Sequence, residues 1–137
     1  MIEFSVVKPL GLVHFRGTGS ISYEYLISNI MQVNNDPDFD FTFNTFVDFE
    51  NAHLTASQDG FLKYQGFFKK LQQFTGKRKW AIFSLDDDTL HNASIAHQLV
   101  SDDIQVNVFK QRDAALTFLG LRDQTLQQFS PISEKKN

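Results

Sequence analysis

The chain contains no cysteine. That removes disulfides, zinc–thiolate sites and thiol nucleophiles together, and suits a reducing compartment. A basic footprint is also missing: 13 Lys and Arg stand against 16 Asp and Glu, for a net charge of −3. The one dense cationic stretch, Lys77-Arg78-Lys79, reads as solvated charge between a helix and a strand, so nucleic acid is not an expected partner. No run approaches the roughly 18 apolar residues of a membrane span. At the N-terminus Glu3, Lys8 and Pro9 interrupt any apolar region, so no secretory signal is expected and the expected location is cytoplasmic.

What is present suits one α/β domain. The 137 residues are 42% hydrophobic and include 15 Phe, 3 Tyr and 1 Trp, enough to bury about two-thirds of the unfolded surface. The aromatics read first as core and second as the lining of an apolar pocket. Two apolar-rich stretches, 2–7 and 11–16, flank Lys8-Pro9-Leu10 and predict an antiparallel strand pair. Gly17-Thr18-Gly19-Ser20 is expected to break the second strand. Tyr23, Leu26, Ile27, Ile30 and Met31 recur at helical spacing, with Ser20 or Ser22 as cap.

The chain is organised around residues 41–57. Phe41, Phe43, Val47 and Phe49 alternate as one face of a strand, followed by a polar elbow, Glu50-Asn51-Ala52-His53, and by Thr55 or Ser57 as cap of the next helix. That helix carries Phe61, Tyr64, Phe67, Phe68, Leu71 and Phe74 and ends at Gly76, with Gly66 expected to approach the sheet closely. Residues 80–85 form an apolar run of interior-strand length. Asp86-Asp87-Asp88 opens a helix bearing Leu90, Ala93, Ala96, Leu99 and Val100, residues 106–109 make a last strand, and a final helix from Ala114 stops at Gly120. Residues 1–120 are thus expected as the domain and 121–137 as a polar C-terminal extension. The order β-β-α-β-α-β-α-β-α implies a mixed, mostly parallel sheet of about five strands with about four helices.

Three segments carry a family resemblance. Phe46-Val47-Asp48-Phe49-Glu50, Lys79-Trp80-Ala81-Ile82-Phe83 and the closing run from Val108 to Gly120 resemble the SpoIIAA-like proteins, a group related in fold to STAS domains. The resemblance implies a non-catalytic regulatory or protein-interaction domain. In STAS anti-anti-sigma factors a serine at the start of the helix after the central strand is phosphorylated. Counting from Asp48, the resemblance places Ser57 there.

Asp86-Asp87-Asp88-Thr89 resembles the first motif of haloacid-dehalogenase-type phosphatases, which would make Asp86 and Asp88 the residues of a metal-dependent enzyme. The plainer reading is helix capping, and no metal or cofactor is expected. His91 and His97 are spaced for different sides of a helix, His14 lies in an opening strand, and His53 stands near Ser57 without a third orienting group. No catalytic residue is assigned. Ligands of parallel sheets bind outside the carboxyl ends of strands, so Thr18, Asn51, His53, Ser57, Asp86 and Lys110 are expected along one edge. Asn51, His53, Thr55 and Ser57 are the contact residues for a protein partner. The alternative is a carrier of an apolar small molecule or lipid in a Phe-lined pocket, and homodimerisation is left open.

Overall fold

A computed structural model describes residues 1–55, 57–71, 73, 77–96 and 104–132. Strand β1 (Ile2–Val7) turns through a 3-10 segment, Lys8–Leu10, into β2 (Leu12–Ser22). Gly11 closes that turn at φ 56°, a left-handed conformation that glycine adopts without a Cβ penalty. There follow α1 (Tyr23–Asn34), β3 (Asn44–Thr55), α2 (Gln58–Leu71), β4 (Arg78–Ser84), α3 (Asp87–Ala96), β5 (Ile104–Phe109), α4 (Arg112–Phe118) and α5 (Asp123–Phe129). The sheet order is β1-β2-β3-β4-β5, with β1 antiparallel to β2 and all other neighbours parallel. This is the expected mixed, mostly parallel α/β sheet, with one helix more than expected. No described helix is long and apolar enough to cross a membrane.

Each crossover leads to the adjacent strand. A right-handed hand at every crossover therefore puts α1, α2 and α3 on the same face. Against them pack Val13, Phe15 and Ile21 of β2, Val47, Phe49 and Leu54 of β3, and Trp80 and Ile82 of β4, meeting Tyr23, Leu26, Ile30, Tyr64 and Phe68. The opposite face carries Leu12, Phe46, Ala81 and Phe83, and is covered by Ala115 and Leu116 of α4, Leu119 just past it and Leu126 of α5. Two polar ties hold α5 there. His14 Nδ1 lies 2.8 Å from Ser130 Oγ, and Arg112 bonds both Asp123 and the buried Asp48.

Several sequence expectations are corrected. Strand β3 begins at Asn44, so Phe41 and Phe43 lie outside it. Asp40 accepts from Thr42 N and Oγ1 at 2.8 and 2.6 Å, an Asx turn that takes the backbone bonds a strand would use. Phe39 packs edge-on against Phe41 and Phe43 in that loop. The glycine-rich 17–20 segment does not break β2, because β3 runs beside it to Thr55 and supplies the ladder partners. Gly17 has its own reason to be glycine: a Cβ there would lie 2.7 Å from the Phe49 ring. A Cβ on Gly66 would meet nothing within 4 Å among the described residues.

Arg78 is buried rather than solvated. Its Nη2 donates to Thr45 Oγ1 at 2.6 Å, its guanidinium lies over the Phe39 and Trp80 rings, and burial pushes its pKa down to about 10. Val106 and Val108 are half-buried because β5 is an edge strand, and Leu85 is exposed just past β4. The segment beyond Gly120, expected as a polar extension, contains α5, with Leu126 fully buried. Phe74, Gly76, His97, Leu99, Val100, residues 133–137 and the side chain of Ala96 lie outside the described residues.

Candidate functional site

Strands β2 and β3 outrun their neighbour. The β3–β4 ladder ends at Phe49–Ser84, whereas the β2–β3 ladder continues to Ser22–Thr55. Between Arg16–Asp48 and Thr18–Asn51 the register shifts, with one residue more in β3 than in β2. Such a bulge reverses the side-chain alternation. Before it Val47 and Phe49 face the three-helix core; after it Ala52 and Leu54 do. Asn51, His53 and Thr55 are consequently turned to the other side and exposed, beside Thr18, Ser20 and Ser22 of β2. The expected elbow is instead a polar two-stranded ribbon.

His53 is fixed from below by the start of α3. Its Nδ1 lies 2.6 Å from Asp86 Oδ2, and the same oxygen accepts from Thr89 N at 3.1 Å and Thr89 Oγ1 at 2.6 Å. Thr89 Oγ1 in turn accepts from Leu54 N at 2.9 Å. The chain of bonds thus ties β3 to α3 through a fully buried threonine. Asp86 is held below the usual carboxylate range, first by the Thr89 hydroxyl and then by His53. An ionised carboxylate only accepts, so Nδ1 carries hydrogen and Nε2 is the atom presented by the half-exposed ring. Next to it Lys110 pairs with Asp87 at 2.7 Å, both side chains exposed.

The other site residues are placed less centrally. Thr55 Oγ1 donates to Ile21 O at 3.2 Å. Ser57 Oγ accepts from Gly60 N at 3.0 Å, as the cap of α2. No hydrogen bond joins Ser57 to His53 among the described residues. A Cβ on Gly60 would lie 2.6 Å from Glu24 Oε1 and 2.9 Å from Ser57 Oγ, so the serine and a carboxylate of α1 converge over that glycine. Of the residues expected at this edge, Thr18, Asn51, His53 and Asp86 are brought together, Lys110 joins them through Asp87, and Ser57 lies on the helical side. Asp86 is occupied as a cap and Asp87 as an ion pair, and the described residues hold no cluster of three His, Asp or Glu suited to a metal.

Sequence reading missed Thr89 and Glu24. Asp86-x-x-Thr89 has the spacing of a helix cap, with Asp86 accepting from Thr89 N, and was legible as one; Glu24 is separated from its neighbours by a whole strand and gives no local signal.

The expected apolar pocket has a counterpart on the three-helix side. A cavity of about 20 Å³ is lined by Tyr23, Leu26, Phe49, Tyr64, Trp80 and Thr89 among others. Its aromatic lining is tyrosine and tryptophan more than phenylalanine. The Tyr23 hydroxyl is buried without a hydrogen-bond partner among the described residues, and burial raises its pKa to about 12. A space of this size admits a water molecule, whereas drug-sized ligands occupy roughly 300–1,000 Å³. No family model, curated protein or solved structure matches the chain.

Proposed function

We propose that this chain is a non-catalytic regulatory or protein-interaction domain, similar to SpoIIAA-like and STAS proteins, that presents Asn51, His53 and Thr55 of the β2–β3 ribbon to a protein partner. The observation that carries this reading is the chain His53–Asp86–Thr89–Leu54 N, which holds a half-exposed imidazole on a polar face. A side chain so held loses little rotamer entropy on binding, which favours recognition by a rigid surface. The small cavity favours this over an apolar-ligand carrier. The engagement of Asp86 by Thr89 and His53 favours it over a phosphatase-like use of Asp86 and Asp88.

Ser57 flanks this surface at the start of α2 and is the position the resemblance marks for phosphorylation. A phosphate there would meet helix N–H groups and, across Gly60, the Glu24 carboxylate.

The test is site-directed photocrosslinking in the source cell from position 51 or 55, against a control at Lys63 on α2. A partner captured from the ribbon positions, absent from Lys63 and lost with His53→Ala, is the expected result. Equal capture from all three positions, or capture indifferent to His53→Ala, would overturn it. Turnover of an ester or phosphate substrate abolished by His53→Ala would overturn the non-catalytic reading.

A further inference from the structure

We propose that β1 is the interface through which two copies of this chain pair, edge to edge and antiparallel, with Ser5 on the twofold axis. The proposal is independent of the β2–β3 ribbon.

Met1 N donates to Thr18 O and Thr18 N to Met1 O, at 2.7 and 2.8 Å, which makes Met1 and Thr18 a doubly bonded antiparallel pair. Alternation along the ladder then assigns Glu3, Ser5 and Val7 to bonded pairs with Arg16, His14 and Leu12, and turns the N–H and C=O groups of Ile2, Phe4 and Val6 away from β2. The outward N–H of Ile2 is taken by the Tyr25 hydroxyl of α1 at 3.1 Å. Those of Phe4 and Val6 have no partner among the described residues. The strand carries no lysine, no proline and no bulge in its register with β2, and its single charge, Glu3, is paired with Arg16 at 2.8 Å. The opposite edge of the sheet, β5, carries Gln105 and Asn107 and runs into Lys110.

A second copy is the occupant that matches what is open. With Ser5 on the axis, Phe4 of one copy faces Val6 of the other, and each such pair exchanges two backbone hydrogen bonds. Every outward group of Phe4 and Val6 is then used, and the ladder stops at Ile2, where Tyr25 already closes it. Phe4 and Val6 lie on the three-helix face and are only half-buried by their own chain, so each would be completed by the other's equivalent. Glu3 faces Val7, with Lys8 of the second copy one residue further, which places opposite rather than like charges at both ends of the contact. Such a pairing is isologous and closed, and so stops at two.

The test combines mass and exchange on the full chain. Sedimentation across a concentration series is expected to show the 15.7 kDa species doubling in mass. The Phe4 and Val6 amides, which have no acceptor among the described residues, should gain protection from hydrogen exchange in step with that doubling. Val6→Pro removes an outward N–H without removing a bond to β2, and is expected to stay monomeric with an unchanged circular dichroism spectrum. A chain that remains monomeric at every concentration would overturn the proposal. So would a dimer in which the Phe4 and Val6 amides exchange freely, a result that needs no variant to fold.

Discussion

A negative group placed on Ser57 has Glu24 for a neighbour. Ser57→Asp keeps an oxygen that can cap α2 and adds charge where the helix dipole favours it, but it sets that charge against the Glu24 carboxylate over Gly60. The two effects oppose each other, so the informative quantity is their coupling. We expect Ser57→Asp to be more favourable in a Glu24→Gln background than in the wild type by about 0.5 kcal/mol, read from urea unfolding of the four variants of the cycle. Equal effects in both backgrounds would remove the contact. His14 makes a second prediction at this scale. Burial lowers its pKa from 6.5 to about 4, opposed by Asp48 and reinforced by Arg112 and Arg16, with Asp123 of α5 acting in the same sense as Asp48. The unfolded chain therefore takes up this proton near pH 6.5 and the folded chain only near pH 4. Stability is held above pH 6.5 and falls as the pH drops through that window. Melting temperatures of wild type and His14→Asn should diverge in slope between those limits, the variant being flatter.

Among the elements, α5 is the one with the most to reveal. Of its seven residues Leu126 alone is buried, at 0% exposure, yet the helix is tied to β2, β3 and α4 by Ser130, Asp123 and Leu126. Leu126→Ala should cost about 2–5 kcal/mol in chemical denaturation, the range for opening a cavity in a closed core; a loss below 1 kcal/mol would mean the helix is dispensable to the domain. Nothing local announces this element, since His14, which Ser130 meets, lies far back in the chain and its own segment, DQTLQQF, is polar on all sides but one. The parallel strands and their succession along the chain were legible because continuous apolar runs and short crossovers leave few alternatives. The far halves of β2 and β3 were not. Glycines at 17 and 19 and the polar run after Phe49 look like breaks until each strand is given the other as its partner. The same blindness shaped the site: His53 and Asp86 were placed at one edge by topology, whereas the bulge that aims His53 depends on pairing that periodicity does not encode.

For the molecule as a whole, the two faces of the sheet differ in what closes them. The first is covered by helices that each lie between two consecutive strands, so every βα unit brings its own share of cover. Among the described residues the second receives its helical cover from α4 and α5, which follow all five strands in sequence. During synthesis, then, Leu12, Phe46, Ala81 and Phe83 wait bare of cover until the chain beyond residue 111 has left the ribosome, while the face opposite them can already be sealed. The long wait is a hazard in time rather than in space: it is in this interval that the nascent sheet is open to chaperones and to aggregation, and a slower passage through the last codons would lengthen it without altering a single contact in the finished fold.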